Sequence, residues 1–161
     1  MVPDGAPKPR LRGAVRILVL SGPNLDRLGK REPEIYGKST LAEIHDEIAA
    51  AAALRKVVVD CRQSNHEGAL IDWIGSAVDD GFSGLLLNPG ALTHTSYALY
   101  DALRGSGLPT IEVHLSNPDA REEFRKTSVV APACIGRVAG FGGASYTLAL
   151  TGLLDRLIAS S

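Results

Sequence analysis

From Val15 onward, short aliphatic runs alternate with longer amphipathic segments, and that alternation predicts the architecture. Val15-Arg16-Ile17-Leu18-Val19-Leu20 is a β-branched and aliphatic run stopped by Ser21-Gly22-Pro23-Asn24, the pattern of a strand entering a loop. Thr40 then precedes Leu41, Ile44, Ile48 and Ala52 at helical spacing, with Glu43 placed as its capping-box partner. The same alternation recurs along the chain. Val57 to Val59 reads as a strand and 67–80 as a helix with Leu70, Ile71, Ile74 and Val78 on one face; Leu85 to Leu87 reads as a strand and 96–104 as a helix. Thr110 to Val113 gives a fourth strand followed by a short helical turn around 121–125, and 135–139 and 144–158 give the last strand and helix. Strands alternating with helices imply right-handed crossovers and one parallel sheet covered on both faces. The expected fold is α/β: a flavodoxin-like, doubly wound, five-stranded parallel sheet with order 2-1-3-4-5.

Composition narrows the picture further. A chain of 161 residues accommodates one compact domain. Residues 1–13, with Pro3, Pro7, Pro9, Lys8, Arg10 and Arg12 and no apolar periodicity, are expected to be a flexible extension, and 14–161 a single α/β catalytic domain. With 17 basic and 18 acidic side chains the net charge is −1, so there is no bulk electrostatic case for nucleic acid or an anionic membrane. No apolar run reaches the roughly 18–20 residues of a membrane span, and no secretory h-region opens the chain, which points to a soluble cytoplasmic protein. Cys61 and Cys134 have no metal-ligand spacing and read as buried free thiols; neither a metal nor a cofactor is expected.

In open α/β sheets, ligands bind outside the carboxyl ends of the strands. The polar and glycine-rich segments of this chain fall there: Gly22-Pro23-Asn24, Arg62-Gln63-Ser64-Asn65, Asn88-Pro89-Gly90 with Thr93-His94-Thr95, and His114 with Ser116-Asn117. The connection from Asn24 to Thr40 is long for a βα loop, where about 2–6 residues is usual. It reads either as a solvated surface loop or as a lid hinged at Gly29 and Gly37 that carries Tyr36 and Arg31 over the strand ends. A phenol titrates near 10, so Tyr36 serves as a base only with a cation such as Arg31 beside it. His114 ends the fourth strand with Glu112 two positions earlier on the same face, a carboxylate–imidazole pair suited to general acid work, although a strand-end histidine also serves as a plain hydrogen-bonding group. His94 is either decoration at a helix start or a donor to a hydroxyl-rich ligand, and His45 and His66 read as surface or capping residues. Gly140-Phe141-Gly142-Gly143 does not fit the dinucleotide fingerprint, and no P-loop, nucleophile elbow or zinc-protease motif occurs. On these residues alone, a non-catalytic flavodoxin-like binding domain and, among enzymes, a flavin- or nucleotide-binding domain remain alternatives.

Five stretches together resemble the type II 3-dehydroquinate dehydratase family. They are Gly22-Pro23-Asn24-Leu25 with Leu28 to Pro33 and Tyr36-Gly37, then Arg62 to Gly68, then Asn88-Pro89-Gly90-Ala91 with Thr93 to Ser96, then Ile111 to Asn117, and Arg121 to Arg125. Leu92, where many members have tyrosine, and the proline-rich leader depart from the family pattern. The resemblance implies anti elimination of water from 3-dehydroquinate to 3-dehydroshikimate through an enolate, in the shikimate pathway or in quinate breakdown, without metal or Schiff base. By the same resemblance Tyr36 is the base, Arg31 keeps its phenolate available, and His114 is the acid with Glu112 behind it. Asn88, accompanied by Asn24, stabilises the enolate through a water; Leu115 and Ser116 hold the substrate carboxylate; His94 and Arg125 bind ring hydroxyls. Asp101 is expected to reach a neighbouring subunit's site, in a homo-oligomer that is a dodecamer built from trimers.

Overall fold

A strand that is aliphatic at every position is stable only where both faces are covered, and the computed structural model, which describes residues 13–30 and 32–160, shows how this chain meets that demand. The strands are β1 (Arg16–Ser21), β2 (Val58–Gln63), β3 (Gly84–Asn88), β4 (Thr110–His114) and β5 (Gly136–Ala139). They form one sheet in the order β2-β1-β3-β4-β5, with every neighbouring pair parallel, as the sequence pattern predicts. Ile17, Val19 and Leu86 face one side, where α2 (Leu41–Leu54) and α5 (Ala144–Ala159) contribute Ile44, Ile48, Tyr146 and Leu153. Leu18, Leu20, Leu85 and Leu87 face the other, against Leu70 and Ile74 of α3 (Glu67–Ser76) and Leu99 and Leu103 of α4 (Tyr97–Ser106).

Local signals set the helix starts. Thr40 and Glu43 form the expected reciprocal capping box, with Thr40 N–H donating to Glu43 Oε2 at 2.8 Å and Glu43 N–H to Thr40 Oγ1 at 3.2 Å. Ser96 caps α4 by accepting the Leu99 N–H at 3.0 Å.

Two expectations need correction. The helix expected over 67–80 stops at Ser76: Phe82 N–H bonds back to Ala77 O, and Gly81 takes the left-handed conformation (φ 83°) that ends the segment. Val78, expected on the apolar face, is therefore 52% exposed, while Ala77 and Phe82 enter the core. After β4 the chain makes three 3₁₀ turns, Pro118–Ala120, Glu123–Lys126 and Ala131–Ala133, and Arg121 and Glu122 lie between the first two rather than inside a helical turn. The long connection after β1 is itself partly helical, with a 3₁₀ turn at Leu25–Arg27 and the one-turn α1 (Pro33–Tyr36). Of the expected N-terminal extension, only Gly13 falls within the described residues. Among those residues no helix is long and apolar enough to cross a membrane.

The loops at the carboxyl ends of β1 and β3 are pressed together. Gly22 N–H donates to Asn88 O at 2.8 Å, and a Cβ at Gly22 would lie 2.8 Å from Pro89 O. Both collision partners are backbone, so Gly22→Ala must push the two loops apart. It is expected to cost about 1–3 kcal/mol in urea unfolding, as overpacking of a tight contact does.

Candidate active site

The strand ends border an open cleft. Asn24, Tyr36, Asn88, His94, His114, Leu115, Ser116 and Arg125, eight of the residues singled out from the sequence, all line it. Each is delivered by a different local device. Asn24 follows Gly22-Pro23 in a left-handed conformation (φ 68°), and its N–H is fixed by Asn65 Oδ1 at 2.8 Å. Asn88 ends β3 in register with Ser21 and accepts the Gly90 N–H on Oδ1 at 3.1 Å. Below it, Ser21 Oγ and Tyr146 Oη lie 2.8 Å apart, both fully buried, and burial pushes the Tyr146 phenol up to about 12 despite its hydrogen bonds with Ser21 and Asn88.

His114 and Glu112 form the expected pair. His114 Nε2 donates to Glu112 Oε1 at 2.6 Å, and Glu112 has no exposed surface. Burial alone would push the Glu112 carboxyl up; hydrogen bonds from His114 and Thr93, then the charges of His114 and Arg137, outweigh it and keep the group below the ordinary carboxylate value. Arg137 stands opposite Glu112 across β4 and β5, with Nε 3.8 Å from Oε1. Because the pair fixes Nε2 as a donor, Nδ1 is the ring nitrogen left to exchange a proton with a ligand.

His94 Nδ1 donates to Thr127 O at 2.8 Å, and its ring meets Phe124 edge-on at 5.5 Å. Tyr36, the last residue of α1, is half-buried against the core. Arg121 places its guanidinium 5.2 Å from the Tyr36 ring centroid and donates from Nη1 to Ser116 Oγ at 3.1 Å. Arg125 Nε donates to Glu122 Oε2 at 2.5 Å. The glycine-rich segment after β5 has a structural task at this cleft, since Gly140 N–H donates to His114 O and Gly142 N–H to Leu115 O.

Asp101 is exposed on α4 and does not line the cleft, and Arg31 lies outside the described residues. His45, read from sequence as a surface or capping residue, buries its Nε2 without a hydrogen-bond partner, and burial, only partly countered by Asp46, lowers its pKa. Cys61 and Cys134 are free and only half-buried, and burial, followed by the nearby charges of Asp60 and Glu112 respectively, pushes both thiols up to about 12. Sequence reasoning assigned no role to Arg121, although an arginine four residues before Arg125 in a segment leaving β4 was a usable signal. It also missed Thr93 and Ser128 as donors to Glu112, for which the chain carries no local signal.

The model of the family described as "Dehydroquinase class II" matches residues 15–154. A 3-dehydroquinate dehydratase of Thermus thermophilus is 55% identical over 141 residues, covering 88% of this chain and 95% of that protein. One from Deinococcus radiodurans is 52% identical over 141 residues, covering 88% and 99%. The crystal structure of a type II dehydroquinase from Butyrivibrio crossotus superposes with a TM-score of 0.86 at 45% identity, covering 88% of this chain and 98% of that one.

The lowered Glu112 pKa has a fixed sign for stability. A carboxylate depressed in the folded state contributes stability above its unfolded value, near 4.3, and loses it as pH falls through the folded value. Urea midpoints measured from pH 7 downward are therefore expected to fall more steeply below about pH 4.3 for the wild type than for Glu112→Gln, which has no proton to bind there.

Proposed function

The chain belongs to the class II dehydroquinase family, a family of hydro-lyases, and we propose that it converts 3-dehydroquinate to 3-dehydroshikimate by anti elimination, with Tyr36 as base and His114 as acid. The observation that carries this reading is the placing of the two groups. Tyr36 comes from the segment after β1 and His114 from the end of β4, and both line the same cleft, so a ring bound between them meets a base and an acid from separate elements.

Arg31, five residues before Tyr36, is the cation that keeps the phenolate available in this reading, and the Arg121 guanidinium lies over the Tyr36 ring. As the phenolate takes the proton α to the ketone, negative charge moves onto the carbonyl oxygen, where Asn88 and Asn24 stabilise the enolate through a bound water. The C1 hydroxyl leaves with the proton from His114 Nδ1, and Glu112 stabilises the imidazolium before transfer. Leu115 and Ser116 bind the substrate carboxylate at the same strand end, with Arg121 already donating to the Ser116 hydroxyl. His94 keeps Nε2 toward the ligand because Nδ1 is spent on Thr127 O, and with Arg125 it takes ring hydroxyls.

Asp101 sits outside the cleft of its own subunit on an exposed helical face, which agrees with a role in a neighbouring subunit's site within a dodecamer of trimers. Light scattering on the purified protein tests that assembly directly, and a monomer with full activity removes Asp101 from the site.

The test of the reaction is a continuous ultraviolet assay of enone formation from 3-dehydroquinate. Tyr36→Phe and His114→Ala are each expected to lower kcat about 10²–10⁴-fold in folded protein, the range for loss of a general acid or base. Arg125→Ala is expected chiefly to raise KM, because its contact is made equally in the ground and transition states. Near-normal turnover in Tyr36→Phe or His114→Ala removes that residue from its role.

A further inference from the structure

Behind the acid lies a group of hydroxyls that the proposed reaction does not use. Glu112 Oε1 accepts from Thr93 Oγ1 and His114 Nε2, and Ser128 Oγ lies 3.1 Å from Oε1 and 3.0 Å from Oε2. Ser128 is itself constrained, because its oxygen accepts the N–H groups of Val130 at 3.2 Å and Ala131 at 2.9 Å. A hydroxyl oxygen has two lone pairs and one proton. With both lone pairs taken by backbone donors, Ser128 has only its proton left to offer, either to the Glu112 carboxylate or to Thr93 Oγ1, which lies 2.8 Å away; since Ser128 cannot accept, Thr93 sends its own proton to Glu112.

That one-way polarity decides what Glu112 can be. An ionised carboxylate accepts every hydrogen bond offered to it here. A protonated one would bring a second proton into a cluster where Ser128 can no longer accept. We propose that Ser128 is a positioning residue whose backbone-locked hydroxyl, together with Thr93, keeps Glu112 as an acceptor only, so that His114 retains its Nε2 proton and exchanges protons solely through Nδ1. The inference rests on the reading of His114 as the acid. It adds that the imidazole–carboxylate pair does not pass its proton on to Glu112 during turnover.

The same short segment reaches the other cleft histidine. Thr127 O accepts from His94 Nδ1, and Val129 N–H donates to Thr93 O at 2.8 Å, so 127–129 straps the Thr93–His94 turn to β4. Ser128 thus sits where one displacement would disturb the orientation of both rings.

The test combines kinetics with ¹⁵N spectra of protein labelled at its four histidines, His114 being assigned by its loss in His114→Asn. Wild type is expected to show neutral His114 as the Nε2–H tautomer. Ser128→Ala is expected to give a tautomer mixture and a kcat lower by about 10-fold, the size of one lost charge-assisted hydrogen bond, with KM within about twofold. Ser128→Thr, which keeps the hydroxyl, is expected to restore both. If Ser128→Ala does not fold, Thr93→Val removes the companion donor without touching the Val130 and Ala131 contacts and is read in the same way. A wild-type tautomer and kcat in folded Ser128→Ala overturns the proposal, as does Ser128→Thr failing as badly as Ser128→Ala, which would make the serine a turn former only. Should the wild type show no turnover of 3-dehydroquinate, the proposed reaction falls, and the tautomer alone decides the role of Ser128.

Discussion

The arrangement turns on one carboxylate with no access to water. Glu112 sits on a central part of the sheet where a bare charge would be prohibitively costly, so every element around it must contribute a compensating group. Thr93 does so from the 3₁₀ turn after β3, His114 from its own strand, Ser128 from the segment before β5, and Arg137 from β5 itself. The stretch from 90 to 137 is organised around that requirement as much as around apolar packing. The parts of the cleft that must keep fixed geometry are the parts tied to this charge.

The opposite wall obeys a different rule. Tyr36 is carried by a one-turn helix bounded by Gly37 at φ 85°, with Gly29 at φ 83° earlier in the same connection, and among its contacts are an apolar edge of the core and the flat face of a guanidinium. These are contacts of modest directionality. The wall that carries His114 is fixed by directional, charge-assisted hydrogen bonds, whereas Tyr36 comes from a short segment flanked by two glycines in the left-handed region.

The sheet, its strand order and the convergence of four loops were legible in the sequence because each rests on a local signal: Val15 to Leu20 and Leu85 to Leu87 as unbroken aliphatic runs, Thr40 and Glu43 as a capping box, Ser96 as an N-cap. Val78 misled because helical spacing continued past Ser76, where the chain leaves the helix for the turn that Gly81 closes, and periodicity carries no information about a left-handed residue further on. Of the candidate site, the residues on strands or immediately after them were legible, whereas Thr93 and Ser128 were not. They lie 35 residues apart and meet only because both are drawn to a third residue on another strand. Arg121, four residues before Arg125, offered a usable spacing, but its contact with the Tyr36 ring follows from the fold of an irregular segment and not from any local pattern.

The placement of Glu112 and His114 two residues apart on β4 has one more implication. They alternate with Ile111, Val113 and Leu115, which fill the core on the α2–α5 side. Slipping β4 by a single residue against β3 would turn Glu112 and His114 into the aliphatic layer and bring the aliphatic residues to the cleft side in the same motion. A misregistered molecule would bury a carboxylate among aliphatic side chains and lose its packing and its cleft together, so the pleat of one strand ties the register to the site.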